Sequence, residues 1–304
     1  MKQKSFTLIE ILVVIVVIGV LSAFILVGMS SITSSANIAK GKAFVNSMDN
    51  SLLLARASLW KLDESSGTAA NDSWGSNNAI FGDGTCSSGT GTCPTITTSQ
   101  CVSNNCLSFD GSDDYINVPH NLTIKPTTAI SFGGWGYSAT WTGLPNSRLL
   151  SCTEGGGYNI TFSGSTVYIY LYRNAAYATP TGSLSSLSGG WHYFLGTYDG
   201  RYTKVYIDGI QVGTADDAGA TYPIGYACSN SLMIGAEAAC GNTPYYSNFL
   251  GKIDDVRIYN QAIPTSEIQQ NYFVGINKLF KNNGIGFNEF NQKLTELKNN
   301  LADN

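Results

Sequence analysis

Residues 189–213 read "GGWHYFLGTYDGRYTKVYIDGIQVG". Aromatic and β-branched residues dominate this stretch, and glycine and aspartate break it at intervals, which is the composition of short strands joined by tight turns. Asp208-Gly209, set between "KVYI" and "IQVG", is a two-residue hairpin signal. The same texture appears upstream in "TVYIYLYR". There Val167, Ile169 and Leu171 point one way and Tyr168, Tyr170 and Tyr172 the other, because side chains alternate across a strand. Strand-like segments recur through "CLSFDGSDDYINVP", "AISFGGWGYS", "SRLLSC", "YNITFSG", "NSLMIGAEA" and "LGKIDDVRIYN". No helical pattern alternates with them, so the expected sheet is antiparallel, in a sandwich or jelly roll.

Composition narrows the function. Only 12% of the 304 residues are Asp, Glu, Lys or Arg, and the net charge is −4. About 25% is usual. A nucleic-acid partner is not expected, because phosphate binding needs a basic stripe and none is visible. All seven cysteines follow residue 85, none in a C-x-x-C pair, and His120 and His192 are far from them in sequence. That spacing supports zinc poorly and paired disulfides in an oxidising compartment better. Short separations suggest Cys86–Cys93, Cys101–Cys106 and Cys228–Cys240, with Cys152 left over; buried free thiols are the alternative.

The N-terminus has a different character. Lys2 and Lys4 precede 24 residues, Phe6 to Met29, that carry one charge, Glu10. A helix of that length reaches ~36 Å, enough for a hydrocarbon core of ~30 Å, and the lysines place its start in the cytoplasm with the rest exported. A carboxylate inside such a span is costly unless it reaches the interface or finds a partner. The helical pattern continues through Ile32, Ala36, Ala39, Ala43, Met48 and Leu52 to about Ala57, amphipathic in its second half.

The string "SFTLIEILVVIVVIGVLSA" resembles the N-terminus of type IV prepilins and pseudopilins. In that family a prepilin peptidase cuts before the Phe and methylates the new amine. The glutamate five residues into the mature chain pairs with a neighbouring subunit's amine during assembly. Carried over, the cut falls between Ser5 and Phe6, and Glu10 is the assembly carboxylate. Ser5 stands where the family has Gly. A buried amine and carboxylate would need each other, since removing one strands the other, so the pair sets register more than stability.

A second resemblance covers residues 59 to about 273. "LWKLDESSGTAANDSWGSNN", "LSFDGSDDYINVP", "GGWHYFLGTYDGRYTKVYIDGIQVG" and "FLGKIDDVRIYNQAIPTSEIQQNY" are similar, in order, to landmarks of LamG-like, concanavalin A-like jelly rolls. The expected fold is therefore mainly β: a long N-terminal helix, an antiparallel LamG-like jelly roll, and a short C-terminal amphipathic helix. The last follows from Phe287, Phe290, Leu294, Leu297 and Leu301 at steps of three and four. The expected divisions are a leader (1–5), a transmembrane and assembly helix (6–58), the jelly roll (59–275) and a helical tail (276–304).

Three chemistries are open to such a head. Glycoside hydrolases of this fold carry E-x-D-x-E or a similar string, which would set two carboxylates ~5 Å apart for retaining chemistry. No such string occurs: Glu154 precedes three glycines and Glu237 sits alone among alanines. The expectation is no enzyme. Related jelly rolls hold a structural calcium joining the first loop to the last strand, which by resemblance implies Asp72 and Asp254, then Asp63, as ligands; the alternative is that these aspartates form turns. Sugar-binding jelly rolls use exposed aromatics, and the candidates are Tyr158, Tyr168, Tyr170, Tyr172, Tyr177, Tyr245 and Tyr246, against the alternative that they merely cover a sheet face. Trp135 and Trp191 have a core pattern.

The resulting expectation is a type IV pilin-like subunit, of the minor kind, displaying a carbohydrate- or surface-binding head. Its partners are other pilin subunits, prepilin peptidase and the inner membrane. Before assembly it is a single-pass inner-membrane precursor with an exported head; afterwards it belongs to an extracellular pilus or a periplasmic pseudopilus. The alternative is a type II secretion pseudopilin whose head contacts the secretion machinery. A glycoside hydrolase is disfavoured. Mass spectrometry of the mature chain tests the processing: it is expected to begin at N-methylated Phe6, and a chain beginning at Met1 would remove the pilin reading.

Overall fold

The chain divides into two compact units, Met1–Leu54 and Ala55–Asn304. The computed structural model describes residues 53–152, 155–226, 228–238, 240 and 245–302. Ser5, Phe6, Glu10 and nearly all of the expected helix over 6–58 lie outside the described residues. Among the described residues no helix is long and apolar enough to cross a membrane.

The second unit is a sandwich of two antiparallel sheets. The first sheet runs Ile210–Asp217, Tyr202–Ile207, Gly190–Tyr198, Ile130–Ser138, Leu250–Tyr259, Cys106–Asp110 and Thr95–Thr97 from edge to edge, with Arg56–Trp60 also paired to Leu250–Tyr259. The second runs Ala176–Ala178, Thr166–Arg173, Tyr158–Gly164, Leu144–Cys152, Leu232–Ile234, Ile116–Val118, Ala79–Phe81 and Ala69–Ala70. Thr181–Ser183 pairs with Thr166–Arg173 as well. Asp208-Gly209 makes the expected hairpin, with Ile207 opposite Ile210 and positive φ at both turn residues.

Alternation decides what each strand buries. Val167, Ile169 and Leu171 face the other sheet and are fully buried with Phe132, Trp141, Tyr158, Ile160, Phe162 and Phe194. Tyr168, Tyr170 and Tyr172 face outward and are half-buried. Trp141 lies 4.8 Å from Phe194 and 5.2 Å from Phe162, ring centre to ring centre.

The outer face of the first sheet is covered too. Helix Thr265–Lys281 starts after Pro264, carries Glu267 in its first turn and stops at Asn282. It runs through the expected boundary at 275. The tail pattern extends backward because Ile268, Tyr272, Gly275, Ile276 and Leu279 already form a buried helical stripe. That stripe lies on Trp135, which stacks on Tyr272 at 5.6 Å and meets Tyr193 at 5.3 Å. Trp135 is therefore buried under a helix, not between the sheets. The expected tail helix is Phe287–Ala302. Phe290 stacks on Phe280 at 4.7 Å, and buried Lys293 reaches the Trp191 carbonyl at 3.3 Å. Asp208 anchors this end: its carboxylate meets His192 Nδ1 at 2.6 Å and Lys293 Nζ at 3.7 Å and accepts from Tyr193 N–H at 2.9 Å. Burial raises its pKa, but His192 and Lys293 outweigh that and hold it below the usual carboxylate range.

The disulfides are Cys86–Cys93, Cys101–Cys106 and Cys228–Cys240. Cys152 is a buried free thiol whose pKa burial pushes up to about 11.

Gly275 is the contact on which helix docking turns. A Cβ there would sit 2.1 Å from Trp135 Cζ2. Gly275→Ala should lower stability by about 1–3 kcal/mol in denaturant unfolding despite better helix propensity, because overpacking a rigid indole outweighs propensity.

Candidate carbohydrate-binding face

On the outer side of the second sheet the tyrosines of Thr166–Arg173 are half-exposed, while Leu144–Cys152 and Tyr158–Gly164 are largely buried on both faces. Two rows of residues cross this side. Tyr168 pairs with Thr161, which pairs with Arg148; Tyr170 pairs with Asn159, which pairs with Ser151. Directly opposed residues share a face, so the tyrosines stand beside a polar floor. Thr161 donates to Asn159 Oδ1 at 2.7 Å. Arg148 donates to Asn146 Oδ1 at 2.7 Å and pairs with Glu237 Oε2 at 2.5 Å, both ends almost buried. Glu237 enters on the short strand Glu237–Ala238, opposite half-exposed Tyr246.

The aromatic part is continuous. The Tyr168 and Tyr170 rings lie 6.0 Å apart at 27°, and Tyr177 meets Tyr170 at 6.0 Å and Tyr172 at 5.0 Å, near perpendicular to both. Tyr177 is 38% exposed. Its hydroxyl accepts from the Gly156 N–H at 3.0 Å, which fixes the ring. The face combines π surfaces, an amide and hydroxyls with one internally compensated ion pair. The half-exposed rings suit an uncharged polyol, which offers C–H patches to their faces and hydroxyls to their phenol groups.

Tyr158 is no part of this face. Its register points it into the core, where it is fully buried against Phe132 at 4.6 Å and donates to Ile124 O at 2.7 Å. The side chain of Tyr245 lies outside the described residues. Arg148, Asn159 and Thr161 were not singled out from sequence, and Glu237 was weighed only as a catalytic carboxylate. The legible signal was a lone charge in each of two apolar segments, "SRLLSC" and "MIGAEA".

The aspartates expected by resemblance to bind calcium all accept hydrogen bonds from peptide N–H groups. Asp72 Oδ1 accepts from the N–H groups of Leu59, Trp74 and Gly75, each at 3.0 Å, and Oδ2 from Asn77 N–H at 3.1 Å. Burial raises its pKa, but these donors together hold it down. Asp254, wholly buried, accepts from Val102, Ser103 and Asp255 N–H groups, and Asp63 from those of Asn104 and Asn105. In Asp254 and Asp63 two loop peptide donors converge on a single oxygen each, Oδ2 and Oδ1. Among the described residues the grouping of three carboxylates close enough to share an ion is Asp110, Asp113 and Asp114, in another turn. There Asp110 Oδ1 accepts from Ser112 N–H and Asp114 Oδ2 from Asp110 N–H, both at 2.8 Å, as turn-forming aspartates do.

The sequence profile of the concanavalin A-like lectin/glucanases superfamily matches residues 110–269. The chain belongs to this superfamily. The prokaryotic N-terminal methylation motif matches residues 1–26 ahead of the concanavalin A-like domain. No curated protein matches the chain. Among solved structures, the concanavalin A-like chain is similar to the binding domain of Paraclostridial Mosquitocidal Protein 1, with TM-score 0.57 and 14% identity over 74% of this chain and 53% of that one. It is similar to the botulinum neurotoxin serotype D ligand-binding domain in complex with N-acetylneuraminic acid, with TM-score 0.53 and 15% identity over 75% of this chain and 53% of that one. It also resembles domain 4 of AbnA, a GH43 extracellular arabinanase from Geobacillus stearothermophilus, in complex with arabinotriose: TM-score 0.52, 16% identity, 71% of this chain and 97% of that one. The chain thus spans about half the length of the two toxin domains. Identities this low show the shared fold alone.

The ion pair under the face tests its construction. Arg148→Met leaves Glu237 buried without its cation and should cost about 3–5 kcal/mol. Arg148→Met with Glu237→Met should recover most of that, read as a double-mutant cycle in denaturant unfolding.

Proposed function

We propose that this chain is a pilin-like subunit whose concanavalin A-like head binds a neutral carbohydrate on its tyrosine face, without catalysis. The observation carrying the reading is the row of half-exposed rings, Tyr168, Tyr170, Tyr172 and Tyr177, at one end of the second sheet, backed by the buried Asn159–Thr161 pair. The methylation motif supports the pilin-like half, since it fits a membrane-anchored precursor processed by prepilin peptidase and assembled with other pilin subunits. Three disulfides suit an exported head. The arabinotriose in one of the similar structures supports a neutral saccharide, and the N-acetylneuraminic acid in another supports carbohydrate more broadly.

The head belongs to a minor subunit in this reading. A unit of Ala55–Asn304 is bulky for something repeated along a fibre, and its role is adhesive. The precursor sits in the inner membrane with its head exported.

A glycan array on the full chain in detergent tests the ligand class. It should retain neutral oligosaccharides, and Tyr168→Ala and Tyr170→Ala should each weaken binding by roughly tenfold, the equivalent of about 1.4 kcal/mol. Retention of no glycan, or tyrosine variants that bind like the parent, would overturn the reading.

A further inference from the structure

The loop closed by Cys101–Cys106 has an arrangement that the rest of the chain does not require. Four consecutive N–H groups within it are spent on two carboxylates. Val102 and Ser103 donate to Asp254 Oδ2 at 2.9 and 3.1 Å, and Asn104 and Asn105 donate to Asp63 Oδ1 at 3.0 and 3.1 Å. Asp63 follows the first strand of the sandwich and Asp254 sits in the last, so the loop binds entering and leaving chain together. Other contacts hold the loop from outside. Asn105 Nδ2 donates to the carbonyls of Asp63 and Glu64, both at 3.0 Å, and Asn282 Nδ2, at the end of helix Thr265–Lys281, donates to Ser103 O at 2.8 Å.

Successive peptide N–H groups converging on oxygen form a concave site of partial positive charge. A divalent cation joins carboxylates from distant segments in the same way, with formal charge instead of dipoles. We propose that the closed 101–106 loop takes the place of a structural cation, so that this domain's stability depends on the Cys101–Cys106 disulfide and is indifferent to calcium. Between Asp63 and Asp254 the four N–H dipoles already fall on one oxygen of each carboxylate, and the disulfide holds both ends of the loop that carries them. The inference is independent of the carbohydrate reading, which concerns the other sheet.

Thermal unfolding of the full, oxidised chain in detergent, with millimolar CaCl2 or with EGTA, should give the same Tm. The double variant Cys101→Ser/Cys106→Ser should melt several degrees lower. Hydrogen exchange at the amides of residues 102–105 should be slow in the parent, unchanged by EGTA, and accelerated in the variant more than at core-strand amides. Should the variant not fold, exchange in the parent decides alone. A Tm that rises with calcium, fast exchange at 102–105 in the parent, or a variant that melts like the parent would overturn the inference.

Discussion

A β-strand turns successive side chains to opposite faces, and each sheet of this domain must settle what covers both. The inner faces meet each other around Phe132, Trp141, Phe162 and Phe194. The outer faces are treated differently. The first sheet presents Trp135 and Tyr193, apolar groups too large to leave in water, and a helix docks over them through the gap at Gly275. The second sheet presents tyrosines, amides and hydroxyls, which tolerate water. On that outer face the tyrosine row stays half-exposed.

The charges beside the tyrosine row compensate each other. Arg148 and Glu237 satisfy each other there, so the surface shows rings and hydrogen-bonding groups instead of charge. Buried ion pairs contribute little net stability against apolar replacements, but they are intolerant of losing one partner. Here the pair also fixes the short strand that brings Tyr246 alongside, which is a reason for it to lie where it does.

The aspartates divide the same way. Asp72, Asp254 and Asp63 look like cation ligands because acidic side chains in loops offer hard oxygens. Each accepts peptide N–H groups from the neighbouring backbone. A buried N–H needs an acceptor, and a carboxylate is the strongest one available. One sequence pattern thus serves two chemistries, and only the direction of the neighbouring backbone chooses between them.

The local features were legible from the chain alone. Period-two alternation in "TVYIYLYR" assigns its two faces, Asp208-Gly209 marks the hairpin, and short separations pair the cysteines, because each depends on residues close in sequence. The apolar stretch around Glu10 is legible for the same reason. What depends on residues far apart was not legible. The helix over Trp135 is one case: the strand pattern marks Trp135 as core, but only the fold shows that Tyr272 and Gly275 cover it. Arg148 and Glu237 are 89 positions apart and meet only when the second sheet is assembled. The sequence by itself determined which segments are strands and which side chains share a strand face. Only the tertiary structure decided which face is covered, which carboxylates are already satisfied and where a ligand can reach, since those follow from long-range packing that no local pattern encodes.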